Sequence, residues 1–120
     1  MRKNATVSIY VPVLTPNSEG TIIKTWGYKQ NPAIAPAATF RADVQPHNLN
    51  EAEIELWELG DRKENTKELF GPRVPSVAIT SRAAVTEDAD GVTRYYDIFA
   101  ANGWSHYTEA LLVPVQGEDS

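Results

Sequence analysis

The stretch Arg94 to Val115, RYYDIFAANGWSHYTEALLVPV, decides how this chain folds. Two strand-like runs flank Asn102-Gly103, and that dipeptide supplies the positive φ values a two-residue type I′ turn requires. Closing the turn there predicts a hairpin in which Ala101 faces Trp104, Phe99 faces His106, Asp97 faces Thr108 and Tyr95 faces Ala110. On the other face Ala100 meets Ser105, Ile98 meets Tyr107, Tyr96 meets Glu109 and Arg94 meets Leu111. A hairpin in the wall of a monomer carries one apolar and one polar face. Here Phe99, Trp104 and Leu112 fall on one side, and Ile98, Tyr107 and Leu111 on the other. One face is read as packing on a core and the other as meeting a partner.

Towards the N-terminus, Ala5 to Val13 alternates, with Val7, Ile9, Val11 and Val13 on one face. Pro12 lacks a donor and places the end of that strand at an edge or bulge. The turn cluster Thr15 to Gly20 then joins it to a second strand, Thr21 to Tyr28, as an N-terminal hairpin. Residues 29–38, KQNPAIAPAA, read as an extended Pro/Ala connection. It is either a surface loop or an arm lying on a neighbouring subunit, because Ile34 and its alanines gain nothing from facing water. Thr39 to Gln45 is a strand with Phe40, Ala42 and Val44 inward, stopped by Pro46.

Asn50 to Leu59 fits two templates. Glu51-Ala52-Glu53-Ile54-Glu55-Leu56 alternates as a strand does, while Leu49, Ala52, Leu56 and Leu59 share one helical face. Asn50 is a good N-cap with Glu53 three residues on, and glutamate disfavours strands. A short helix ended by Gly60 is the reading adopted. Thr66 to Phe70 is a brief strand, Gly71-Pro72 and Pro75 bound a turn, and Val77 to Thr86 is a further strand. Glu87 to Gly91 turns into the opening hairpin, and residues 116–120 form a frayed polar tail. The expected fold is mainly β: one domain over 1–120, a small antiparallel β-barrel of six to seven short strands. It carries one short helix at about 50–59, within an insertion spanning 47–65, and long loops.

At 120 residues the chain buries about two-thirds of its unfolded surface on folding. The apolar fraction of 42% and the charged fraction of 22% fit a soluble globular domain rather than a disordered one. No apolar run reaches the ~20 residues of a membrane span, and the basic start is not followed by a signal-peptide block. The absence of cysteine excludes disulfides, thiolate metal sites and a cysteine nucleophile. Sixteen acids against eleven bases, net −5, argue against a general nucleic-acid binder.

Catalytic signatures are missing. His47 and His106 form no HExxH-like spacing, and Asp88, Asp90 and Gly91 lack the remaining ligands of a calcium loop. His106 and Glu109, three apart in a strand, point to opposite faces, which defeats them as an acid/base pair. The chain is therefore read as a non-enzyme without cofactor or metal. Trp104, directly beside a tight turn, either caps a barrel end or anchors a partner.

The succession GTIIKTWGY, TFRADVQP, LNEAEIELWELG, NTKELF and GVTRYYDIFAANGWSHYTEALLVPV resembles the head–tail joining family of long-tailed bacteriophages, the head closure or stopper proteins. The most specific segments are Trp104 to Val115 and Ala52 to Trp57, and the resemblance covers about residues 5 to 115. It implies a small β-barrel subunit of a sixfold or twelvefold ring at the portal vertex of the virion, made in the host cytoplasm. That ring lies below the portal or adaptor, seals the DNA-filled capsid and offers the tail terminator or tail tube a docking surface. In the family a loop between the early and late strands projects into the DNA channel. By position that segment is His47 to Asn65, with His47, Glu51, Glu53, Glu55, Glu58, Asp61, Arg62 and Lys63 as the candidate channel-lining or gating residues. Ile34, Phe99, Trp104, His106 and Tyr107 are the candidate interface. The chain departs from the family pattern in its long 29–38 connection and in Glu58-Leu59-Gly60, where an aromatic residue followed by glycine is expected. A tail terminator or adaptor ring, and a monomeric β-barrel module binding a peptide or ligand, are the alternatives.

Residues 51–70 hold seven acids and three bases, a net of −4 that nearly equals the excess of the whole chain. Such a segment is most often a solvated face. Lining a channel, it repels DNA phosphates and lets double-stranded DNA slide without sequence-specific binding. Changing Glu51, Glu53, Glu55 and Glu58 together to glutamine is expected to impair genome retention or ejection; unchanged infectivity and ejection would count against the channel role.

Overall fold

The computed structural model describes residues 3–29, 33–47, 65–104 and 106–115. Its strands are β1 (Ala5–Tyr10), β2 (Val13–Pro16), β3 (Ile22–Thr25), β4 (Ala38–Pro46), β5 (Lys67–Pro72), β6 (Arg82–Glu87), β7 (Thr93–Gly103) and β8 (Tyr107–Pro114). A 3-10 turn spans Gly27–Lys29. Six strands close an antiparallel barrel in the order β1-β4-β5-β8-β7-β6, and β2 and β3 form a separate two-stranded ribbon. The expected mainly-β barrel is thus the observed one. The helix expected at about 50–59, most of the 47–65 insertion and the 116–120 tail lie outside the described residues.

Period-two alternation explains the barrel interior. In β1, Ala5, Val7 and Ile9 are fully buried while Thr6, Ser8 and Tyr10 are half-buried. Ala42 and Val44 of β4, Leu69 of β5, Ala83 and Val85 of β6, Tyr96 and Ile98 of β7, and Ala110 and Leu112 of β8 complete the core. Val77, from the loop before β6, joins this cluster. β8 is also buried on its opposite face, where Leu111 is 7% and Val113 0% exposed. The absence of a clean polar face in this strand is therefore answered, for those two residues, within one chain.

The N-terminal segment departs from the expected hairpin. β1 stops at Tyr10 and pairs with β4 on one side and β6 on the other. After Val11-Pro12 the chain restarts as β2, which pairs only with β3. Pro12 ends the first ladder because it has no N–H to give. Asn17 makes the ribbon's turn: its Oδ1 accepts from the N–H groups of Glu19 and Thr21, and Gly20 adopts a φ of 84°.

The second departure is the turn between β7 and β8. Neither Asn102 nor Gly103 has positive φ, and both lie within β7. The chain reverses later, where the Trp104 N–H donates to the Tyr107 carbonyl at 2.8 Å. Gly103 then faces Thr108, Ala101 faces Ala110 and Ile98 faces Leu112, with a bulge at Phe99 between Ile98 and Ala100. Phe99 does not face His106. The type I′ register would have set Glu109 opposite Tyr96 and pointed it at the core. The observed one turns Tyr96, Ile98, Ala110 and Leu112 inward together, and core burial outweighs the local turn preference. Gly103 has a different need for its missing side chain: the Arg73 guanidinium lies where a Cβ would sit, with a nitrogen 1.2 Å from that point.

Gly71-Pro72 likewise ends β5 rather than making a turn. A Cβ at Gly71 would sit 3.1 Å from the Phe40 ring and 3.2 Å from the Ala42 Cβ. The strand expected from Val77 begins only at Arg82, because residues 75–80 turn across the barrel end.

Asn4 seals the opposite end. Its side chain donates to the Val44 carbonyl at 2.9 Å and accepts from the Val44 N–H at 2.8 Å, while its backbone N–H reaches Ala42 at 3.0 Å. Asn4→Ala leaves a part-buried donor and acceptor unmatched and should cost about 1–3 kcal/mol. Urea unfolding followed by tryptophan fluorescence measures this, and a loss no larger than that of a neutral surface change would remove Asn4 from the set of residues that close the barrel.

Candidate functional site

Strand direction sorts the described loops between two barrel ends. One end carries the start of β1, the end of β4, the start of β5, the β6–β7 turn and the end of β8. The other carries the β2–β3 ribbon, the 3-10 turn, residues 33–37, the loop 73–81 and the β7–β8 turn. These two ends differ sharply in chemistry.

The first end is charged. Arg41 pairs with Asp88, Arg94 with Asp90 at 2.8 Å and Glu87 at 3.8 Å, and Lys67 with Glu87 at 3.9 Å. The Arg41 hydrogen bond holds the Asp88 carboxyl below its ordinary pKa, and Arg94 does the same for Asp90. His47 Nδ1 contacts Glu68, and the His47 N–H donates to the Thr66 carbonyl at 2.9 Å. The chain therefore enters and leaves the 48–64 segment at neighbouring points on this end. Of the candidate channel residues, His47 is placed here; Glu51, Glu53, Glu55, Glu58, Asp61, Arg62 and Lys63 lie outside the described residues. A cleft beside Lys67, Glu87, Arg94 and Tyr96 is lined by charges that already neutralise one another, and among the described residues no His, Asp and Glu cluster could hold a metal ion.

The second end is apolar. Val11, Leu14, Ile22, Ile23, Ile34, Ile79, Trp104 and Tyr107 all lie there, from 39% exposed at Tyr107 to 68% at Ile79. Among the described residues, Val92 is the one exposed large hydrophobic side chain at the charged end. Trp104 and Tyr107 stack with centroids 6.0 Å apart at the β7–β8 turn. Ile34 is held by its N–H to the Gly27 carbonyl at 3.0 Å, so the Pro/Ala connection packs on its own 3-10 turn at this point. Phe99 is half-buried and His106 exposed, both beside this end. The structure thus brings the five interface candidates to one end and adds Val11, Leu14, Ile22, Ile23 and Ile79. Sequence reasoning missed these because it placed Val11 on the inner face of a long strand. A usable signal was Thr21-Ile22-Ile23-Lys24, where adjacent isoleucines in a strand must point to opposite faces.

Arg82 fastens the ribbon's return to the barrel wall. It is 8% exposed, donates from Nε to Asp97 at 2.9 Å and from a terminal nitrogen to the Tyr28 hydroxyl at 2.9 Å, and lies 4.4 Å from the Trp26 ring centroid. Tyr28 in turn stacks on Tyr95 at 4.1 Å and meets Tyr10 edge-on at 5.1 Å. Burial alone lowers the Arg82 pKa, but the bonds to Tyr28 and Asp97 more than offset it and the guanidinium stays charged. Burial raises the Tyr28 phenol above its ordinary value.

No protein-family model matches the chain, and no curated protein matches it. Protein SF1141 from Shigella flexneri 2a, whose structure was determined in solution, is similar in fold, with a TM-score of 0.64 and 17% sequence identity. The match covers 98% of this chain and 96% of that one. At this identity the likeness shows a shared fold.

Arg82→Met is expected to lower stability by about 2–3 kcal/mol, between the values of exposed and fully buried ion pairs, because it removes the guanidinium's hydrogen bonds to Asp97 and Tyr28. Tyr28→Phe should cost only about 1 kcal/mol. Chemical denaturation of both variants measures the difference, and equal small losses would show that Arg82 is not the anchor.

Proposed function

We propose that this chain is a structural subunit of a phage head–tail connector, of the head closure type. It forms a ring below the portal or adaptor, retains the packaged DNA and presents a docking surface to the tail. The observation that carries this reading is the division of the barrel into an apolar end and a charged end. Here the exposed apolar side chains crowd onto the ribbon, turns and loops of one end, as expected of a subunit covered by neighbours.

The charged end supports the second half of the reading. The chain leaves the barrel at His47 and rejoins it at Thr66 on this end, so the described residues flanking the acidic stretch belong to it. Acidic side chains beside a DNA path disfavour phosphate binding and leave the duplex free to move. Protein contacts at one end and DNA passage at the other are the two tasks of a closure ring. The resemblance of Ala52 to Trp57 and Trp104 to Val115 to the head–tail joining proteins points the same way, and the barrel is a fold that accommodates it.

Mass spectrometry of purified virions of the phage that encodes the chain is the direct test. The expected result is the chain at a few to about a dozen copies per particle, the stoichiometry of a closed ring. Its absence from virions whose portal is readily detected would overturn the assignment.

A further inference from the structure

The β2–β3 ribbon is the least supported of the described strand elements. Neither of its strands packs substantially against a barrel strand, and a two-stranded hairpin alone is only marginally stable in water. In the register Leu14↔Lys24 and Pro16↔Ile22, Leu14, Pro16, Ile22 and Lys24 share one face, and Leu14 and Ile22 are 63% and 58% exposed. At its turn stands Glu19, exposed and without an ionic partner among the described residues.

A second apolar feature stands elsewhere on the same end. The ribbon's return lies with Lys24 and Trp26 beside Arg82, Asp97 and Phe99. The β7–β8 turn carries the stacked, exposed pair Trp104 and Tyr107. Beside it the exposed Arg73 guanidinium lies over Gly103, with no carboxylate partner among the described residues. Each chain thus bears an apolar ribbon face with an exposed acid and, at a separate place on the same end, an aromatic pair with an exposed base.

We propose that these two surfaces are one contact between copies of this chain: the Leu14–Ile22 face of one copy covers Trp104 and Tyr107 of the next, and Glu19 pairs with Arg73. The contact joins two different patches, so it is head-to-tail and repeats from copy to copy. Apolar cover and charge complementarity are both satisfied by a second copy. The inference rests on the connector reading for the closure of the repeat into a ring, and it supplies the lateral contact of that ring.

The chain has no cysteine, so paired thiols report the contact directly. Separately purified full-length Glu19→Cys and Arg73→Cys variants, confirmed as folded by circular dichroism, are mixed at about 1 mM, where a contact of millimolar Kd is substantially occupied. They are then oxidised and resolved by intact-mass spectrometry. The expected product is the mixed disulfide, about tenfold above either homodimer, and its loss when Leu14→Asp and Ile22→Asp are added to the Glu19→Cys chain. A mixed product at the roughly twofold excess of random encounter, or no cross-link in folded variants, overturns the contact. Detection in virions without this cross-link would sink the contact alone, whereas the cross-link with absence from virions would sink the connector reading alone.

Discussion

Everything in this molecule depends on β1 being paired along both edges. Six residues, Ala5–Tyr10, bond to β4 on one side and β6 on the other, and this closes the barrel. Closure removes the free edges that an open sheet of these strands would expose. It also brings Ala5, Val7 and Ile9 into a core whose other contributors lie more than thirty residues away in sequence. Asn4 continues the β1–β4 edge with its side chain, so the seam is held beyond the last strand residue.

Closing the barrel with β1 leaves β2 and β3 without a sheet to join. They are displaced to one end as a ribbon, and Arg82 ties down the chain that follows them through Trp26, Tyr28 and Asp97. The same closure sends every insertion to one end or the other. This chemical polarity follows from topology: among the described residues, loops at one end carry apolar side chains, and those at the other carry paired charges and the junctions of the acidic segment. The proposed ring subunit would use that division, because a surface that meets protein must lose water and one that meets DNA must keep it.

The sequence reading was most accurate where one residue period dominated. β4 was legible because Phe40, Ala42 and Val44 alternate without interruption before Pro46, and the turn at Glu87 to Gly91 because acidic residues and a glycine gather there without an apolar period. It failed where local and long-range preferences compete. Asn102-Gly103 has the composition of a type I′ turn, yet the chain runs through it, since a turn there would bury Glu109 beside Tyr96. Val11 continues the alternation of β1, yet Pro12 cuts the ladder and leaves Val11 49% exposed.

The sequence by itself determined the mainly-β class, the positions of most strands and the concentration of acid in 51–70, because alternation, proline and charge are local properties of the chain. Only the tertiary structure decided which strands are neighbours, where the last hairpin turns and that most of the described exposed apolar residues share one end. Those outcomes depend on pairing energies between distant segments and on the volume of a common core, and no local pattern encodes either.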